Sequence, residues 1–407
     1  MWYSMFMEKK ILIVGGGFAG VTAARELAKK APKADITLIS NRSYFEYYPA
    51  LYRILSGMSP IEVCVPLEDV LPENVNIAKD TISKIDPLNK EVTGELGAYQ
   101  YDDLVLALGS EINYFGIKDA PTNTYRFGTT NSAIELKNRM ITLFEEYITE
   151  EDPKHKLHVV IVGGGPVGVE LSGSLSIFMH RLARKYNVDR SVMKVTLVDS
   201  GPRVLGRFPE QVSKHVQKRL EKIGVNLSLG CAISDIQHQQ VCLHTENILA
   251  DTIVWTAGTK PNSLYKDIPG ITLDEKSKRV TVDEFLGAKG LPNIYVLGDG
   301  AATPNSGLAQ TAMYDGKYVA NVILAREKGI SDDKISKYKV PVTGYIVPVG
   351  LGWAAFVYKK FRLYGIIPFI LRLAVDFEFL WRLLPFARVL DLYWEGFRYR
   401  VVEKIKR

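Results

Sequence analysis

Two decapeptides carry the first chemical signal. Residues 11–20 read ILIVGGGFAG, and residues 159–168 read VVIVGGGPVG, 148 positions further on. Gly15, Gly17 and Gly20 in the first, and Gly163, Gly165 and Gly168 in the second, make G-x-G-x-x-G behind an apolar run. That spacing suits a pyrophosphate. The first glycine allows a tight turn, the second lets phosphate approach the backbone, and the third brings helix against strand. The following helix offers unpaired N–H groups and the positive end of its dipole to the anion. Phe18 and Ala19, like Pro166 and Val167, fill the intervening positions and are counted with each cradle. Two cradles imply two dinucleotides.

Acidic and hydroxyl side chains refine this. Asp199 ends the strand after the second cradle, where a carboxylate accepts bonds from a ribose diol and repels a 2′-phosphate. The second dinucleotide is therefore expected to be NADH rather than NADPH, although Arg203, four residues on, could soften the preference. After the first cradle the same position holds Ser40, which either takes one ribose hydrogen bond or merely ends a strand. Residues 294–300 read IYVLGDG. A strand delivering Gly298 and Asp299 at its C-terminal end suits the polyhydroxylated chain of a flavin nucleotide, with a plain turn as the alternative. Glu170 follows the second cradle. It reads either as an acid favoured by the dipole of a first helical turn or as a functional carboxylate.

The elements that must position these residues are legible as strand, glycine turn, helix, strand in each half: Ile11–Val14, Val21–Lys30 and Ile36–Ile39, then Val159–Val162, Val169–Lys185 and Val195–Val198. Such βαβ units build a parallel sheet. The predicted fold is α/β with two Rossmann-like domains. A further boundary is expected near 334, where the chain turns aromatic and basic.

The chain has 407 residues, 47% of them hydrophobic and 24% charged, enough for two or three domains. Its net charge is +6, and residues 359–407 alone hold 11 Lys or Arg against 5 Asp or Glu. The excess is confined to that stretch, which argues against a grip on nucleic acid by the protein body. Cys64, Cys231 and Cys242 form neither a CxxC nor a metal-binding spacing, so no metal site and no redox-active pair is expected. An odd, sparse set suits a reducing compartment. The first eight residues are too short for a signal peptide, so no export is expected. Within 365–385 the longest run without a charge, Gly365–Leu371, is seven residues, far from the ~20 of a spanning helix. On a helical wheel Arg372, Asp376, Glu378 and Arg382 share an arc of about 160°, opposite Phe369, Ile370, Leu373, Phe377, Leu380, Trp381 and Leu384. This amphipathic helix either packs on the protein's own core or lies on a surface. Tyr393, Trp394, Phe397 and Tyr399, interleaved with Arg388, Arg398 and Arg400, favour an anionic membrane surface, with a homodimer contact as the rival.

Taken together, the two glycine loops, VWTAGTKPN at 254–262 and VLGDGA at 296–301 resemble the two-dinucleotide flavoproteins. Within them, SYFEYYPALYRILSG at 43–57 and LAQTAMYDGKYVANVI at 308–323 are similar to the type II NADH dehydrogenase family of membrane-bound NADH:quinone reductases. The resemblance implies an FAD domain (8–112 and 275–333) with an NAD(H) domain (113–274) inserted, and a C-terminal interface and membrane segment (334–407). By position it implies that Gly15, Gly17, Gly20, Ser40, Ile82, Gly109, Gly298 and Asp299 line FAD. Gly163, Gly165, Gly168, Asp199 and Gly258 would line NADH. It makes Glu170 the acid beside nicotinamide and flavin, and places Gln310 and Arg362 on the quinone side. Tyr314, Ser40 and Phe45 depart from residues common in the family (Gln, Asp and His), which bears on the acceptor more than on the fold.

The implied reaction passes a hydride from NADH to flavin and two electrons on to a lipid quinone, without proton pumping, peripherally at the cytoplasmic face of the cell membrane. Two alternatives remain open at this point: a reductase of a soluble acceptor, such as a ferredoxin-like protein or soluble quinone, and a non-catalytic redox-sensing flavoprotein.

Overall fold

The structure, a computed structural model, describes residues 9–57, 59–149 and 157–405; of residues 61 and 397–405 it describes the backbone only. The first eight residues and the side chains of Phe397–Arg400 weighed above lie outside the described residues. The chain forms two compact units, Met1–Glu46 with Val65–Ile112 and Thr259–Thr343, and Tyr47–Cys64 with Asn113–Gly258 and Gly344–Arg407.

The first unit is built on a five-stranded parallel sheet in the order Ile294–Val296, Asp103–Leu106, Lys10–Val14, Asp35–Ser40, Val75–Lys79. Leu12, Val14, Ile39, Leu104, Leu106, Ile294 and Val296 fuse into one core with Tyr265 and Val280. Strands buried on both faces need unbroken apolar runs, which is why ILIV and DLVL read without alternation. The helix Phe18–Lys30 follows the first strand and packs closely on Ala309–Glu327. Gly316 makes this possible, since a Cβ there would lie 2.4 Å from the Ala19 carbonyl oxygen.

The second unit repeats the plan with the order Tyr125–Arg126, Thr252–Trp255, His158–Val162, Lys194–Asp199, Val225–Leu229. The helix Pro166–Tyr186 follows its central strand. A second, antiparallel sheet of Tyr345–Pro348, Ala354–Tyr358 and Phe361–Gly365 leads into the helices Ile366–Leu383 and Phe386–Ile405. Gly173 lets that sheet close on the Pro166–Tyr186 helix, a Cβ there falling 2.4 Å from the Gly350 amide nitrogen.

These units divide the chain differently from the partition drawn on sequence. Residues 259–274 pack with the first unit: Thr259–Pro261 pairs with Ser110–Ile112, and Tyr265 is buried in that core. Residues 334–343 also stay there, Tyr338 bonding to Asp315, so the C-terminal section begins at 344. Residues 47–64, which hold all but the first four residues of the 43–57 motif, join the second unit. Sequential composition cannot show such exchanges, because each segment is placed by its sheet or core partners rather than by its neighbours in the chain.

Candidate functional site

In each unit the parallel sheet brings the named residues to one edge, the C-terminal ends of its strands. In the first, Gly15 follows the central strand, Ser40 ends its neighbour on one side, and Ala107–Gly109 follow its neighbour on the other. Gly298 and Asp299 follow the edge strand. The three cradle glycines do different work. Gly15 has φ +120° and a Cβ there would sit 2.1 Å from the Ala107 carbonyl oxygen; at Gly20 the Cβ would lie 1.9 Å from the Gly15 oxygen. Both are demanded by the fold. Gly17, the N-cap, has φ −88° and ψ −168°, and a Cβ there meets nothing within 4 Å. Its bare backbone and the first helix N–H groups, with no side-chain cap, open on space free of protein atoms.

Around this edge Ser40 is 7% exposed, and its hydroxyl accepts the Arg42 amide at 3.2 Å. Ser40 therefore caps its own loop, whatever else it touches. Gly109 (φ +69°) has open space around its Cβ position. Gly298 (φ +61°) donates its amide to Asp315 at 3.0 Å, and Asp299 Oδ2 accepts the Ser110 hydroxyl at 2.6 Å. Ile82 packs partly buried on the core, and Gln310 is exposed in the first turn of the Ala309–Glu327 helix.

The second cradle repeats the division of labour. Gly163 has φ +113° with Ala257 against its Cβ position, and Gly168 would put a Cβ 1.8 Å from the Gly163 oxygen, whereas Gly165 (φ −72°) opens on empty space. Pro166 and Val167 are exposed at the helix start. Gly258 (φ +66°) is covered by the Phe115 ring. Asp199 accepts the Gly164 amide at 2.5 Å and the Gly201 amide at 2.7 Å, which holds the loop and its own carboxylate together. Arg203 is turned to its own loop. Its guanidinium donates to the carbonyls of Leu205, Gly206 and Phe208 and to the Ser213 hydroxyl, at 2.6–3.5 Å.

Glu170 is not in the first helical turn, which carries no acid, so a dipole explanation fails. It stands half-buried one turn in, and among the described residues no donor hydrogen-bonds its carboxylate. Desolvation pushes the carboxyl up to about 8, against the pull of Arg372 and Arg53 and with the help of Asp376. Both arginines face Asp376 instead. Asp376, 2% exposed, accepts the Tyr47 hydroxyl at 2.5 Å, the Arg53 guanidinium, and Arg372 Nε at 3.0 Å. Arg372 also donates to the Pro49 carbonyl at 2.6 Å, and Arg53 to the Tyr52 hydroxyl at 3.1 Å. Arg362 lies elsewhere, on Phe361–Gly365, donating to Gln211 at 2.7 Å.

Sequence reasoning missed this cluster, although its signal was present. An Arg and an Asp four residues apart interrupt an apolar helix, and Tyr47, Tyr52 and Arg53 lie in the 43–57 motif. The wheel leaves open which face of the helix turns inward. The structure turns Arg372 and Asp376 in and leaves apolar side chains out: Ile367 is 66% exposed, Ile370 57% and Trp381 55%. Among the described residues no helix is long and apolar enough to cross a membrane.

Comparison with known proteins gives the family. Residues 9–316 match the family model described as pyridine nucleotide-disulphide oxidoreductase. The type II NADH:quinone oxidoreductase Ndh of Mycobacterium tuberculosis is 31% identical, over 79% of this chain and 73% of its own length. That of Staphylococcus saprophyticus is 30% identical, over 77% and 81%. Among solved structures, NDH2 from Plasmodium falciparum in complex with NADH shares the fold at TM-score 0.85, with 18% identity and 98% of both chains covered. The sulfide:quinone oxidoreductase of Aquifex aeolicus does so at 0.77, with 20% identity over 92% and 91%. A two-cradle chain with no cysteine pair, matched over most of its length by these enzymes, belongs to the type II NADH:quinone oxidoreductase family of the pyridine nucleotide-disulphide oxidoreductases.

Proposed function

We propose that the chain oxidises NADH and reduces a lipid quinone, with FAD as its resident cofactor. The observation that carries this is the pair of open positions at Gly17 and Gly165, each where a pyrophosphate must approach the backbone, at the ligand edge of a parallel sheet. FAD, when bound, accepts the hydride of NADH and yields two electrons to the quinone, chemistry no side chain here supplies.

The polypeptide binds and positions. Gly15, Gly17, Phe18, Ala19 and Gly20 hold the FAD pyrophosphate, with Gly109, Gly298 and Ile82 bordering the cofactor and Asp299 taking hydroxyls of its polyol chain. Ser40 borders it with the hydroxyl that already closes the Arg42 loop. Gly163, Gly165, Pro166, Val167 and Gly168 hold the NADH pyrophosphate, and Asp199 its ribose diol. Gly258 borders the same nucleotide. With Arg203 committed to its own loop, its guanidinium is not turned to a 2′-phosphate, which fits NADH. Glu170 keeps its proton at neutral pH and can release it when its surroundings gain positive charge or lose negative charge. Gln310, at a helix start, presents an amide able to orient a quinone carbonyl. Arg362, whose guanidinium donates to Gln211, is assigned to the quinone side by the resemblance alone.

The outward apolar face of Ile366–Leu383, with exposed Trp394 and Phe386 beyond it, supports seating on a membrane surface. The basic excess of 359–407 favours anionic lipid, at roughly 1 kcal/mol per cation near the surface, and disfavours a second copy carrying the same charge. We place the protein peripherally at the cytoplasmic face of the cell membrane, where NADH is supplied.

Purification with membrane lipid, a visible spectrum, and NADH oxidation assayed against lipid quinones and water-soluble acceptors test the proposal. A yellow protein turning over with lipid quinone is expected. A colourless protein that takes up no flavin, or one that passes electrons only to a soluble protein, overturns it.

A further inference from the structure

We propose that Asp376 is a positioning residue for Glu170: by engaging Arg53 and Arg372 itself, it keeps both cations from pairing with the Glu170 carboxyl and so helps burial hold the proton there. The inference rests on the functional reading above, and adds to it a residue of the C-terminal helix.

The geometry runs through one acid. Tyr47, Tyr52 and Arg53 come from the 3-10 helix region around Tyr48–Ile54, Arg372 and Asp376 from Ile366–Leu383, and Glu170 from Pro166–Tyr186. Asp376 receives three donors from two elements: the Tyr47 hydroxyl, the Arg53 guanidinium and, within its own helix, Arg372 at i−4. The two arginines also donate to the Tyr52 hydroxyl and to the Pro49 carbonyl. Glu170 receives none, yet it feels Arg372, Asp376 and Arg53 electrostatically, and Tyr52 feels it in turn. The Pro166–Tyr186 helix also packs on Thr130–Thr149, whose buried titratable residue is Lys137, and on Tyr345–Pro348. Two half-buried cations beside an unpaired carboxyl pull it toward ionisation, against the burial that raises it. Asp376 is the anion placed to engage both of them.

The consequence has a sign. Removing the Asp376 charge takes away a repulsion and frees two guanidiniums, so the Glu170 pKa falls. Removing the Arg372 charge takes away an attraction, so it rises. A residue needed only for folding would move both variants the same way or neither.

The test is an infrared titration of the flavin-loaded full chain. It follows the protonated-carboxyl band that disappears in Glu170→Gln, with pH profiles of kcat measured alongside. Asp376→Asn is expected to lower the midpoint of that band by about one to three pH units. Arg372→Met should raise it, and Asp376→Glu should restore the wild-type value. An unmoved or raised midpoint in Asp376→Asn overturns the proposal, as does a shift of the same sign in both variants. If Asp376→Asn fails to fold, Arg372→Met decides alone, and an unmoved or lowered midpoint there is equally fatal. The band requires no turnover. A wild-type protein unable to reduce quinone would therefore overturn the functional reading while leaving this titration readable.

Discussion

Replacing Gly17 by alanine separates what the fold needs from what the ligand needs. At Gly17 the backbone is extended, with φ −88° and ψ −168°, a conformation alanine adopts freely, and the added methyl meets no protein atom within 4 Å. Losing a glycine from the unfolded chain stabilises by about 0.4–1 kcal/mol. Alanine is a poorer N-cap than glycine by a comparable amount, roughly 0.5–1 kcal/mol. The two effects offset, so the apoprotein should unfold within about 0.5 kcal/mol of wild type. Flavin faces a different outcome. A methyl in the space a pyrophosphate fills is an overpacking of about 1–3 kcal/mol, or roughly 5- to 150-fold in affinity. Gly165→Ala should do the same to NADH and spare the flavin, since its φ of −72° is equally ordinary and its surroundings equally open. Gly20→Ala and Gly168→Ala are the controls. Their Cβ atoms would fall 1.9 Å and 1.8 Å from carbonyl oxygens, and both chains should fail to fold. Urea unfolding of the apoproteins, with flavin and NADH titrations, reads all four. Wild-type flavin affinity in Gly17→Ala would refute the cradle, and an unfolded Gly17→Ala would refute the steric map beneath it.

Three further outcomes follow from the same structure. Glu170 holds its proton in the fold up to about pH 8 but gives it up near 4.5 when unfolded, so stability is fully present below 4.5 and declines as pH rises to 8. The loss has an upper bound of about 5 kcal/mol. Urea midpoints of wild type and Glu170→Gln should therefore diverge across that window, the variant becoming the more stable, and parallel curves would show the carboxyl to be unperturbed. Asp199→Asn should reduce kcat/KM for NADH about 10- to 100-fold, the value of a charge-assisted bond or two. It should not create an NADPH enzyme, because Arg203 is held by its own loop, and equal use of NADPH would show that hold to be loose. Glu in place of both Ile367 and Ile370 should abolish co-sedimentation with anionic vesicles while sparing turnover with a water-soluble quinone. Retained sedimentation, or a wild-type dimer that the substitutions dissociate, would give the exposed face to another partner.

Much of the protein is local in origin, and the sequence shows it. Each cradle is written within ten residues, because a tight turn, a bare backbone and a helix start are properties of adjacent positions. The positions of Asp199 and Asp299 were legible for a similar reason: a residue that ends a parallel strand, or closely follows one, lies at the C-terminal edge of the sheet whatever surrounds it. The wheel of Ile366–Leu383 likewise showed a charged arc and an apolar one.

What no local pattern contains is direction and partnership. Amphipathicity says that two faces differ, not which turns inward, and only packing put Arg372 and Asp376 inside with isoleucines and tryptophan outside. The segments 47–64 and 259–274 took places away from their chain neighbours for want of any signal but their contacts. Glu170 looked like an acid near a helix start. Its carboxyl is raised by desolvation, with help from Asp376 some 200 residues away along the chain and against Arg372, because electrostatic energy depends on distance in space and on excluded water, neither of which spacing along a chain records.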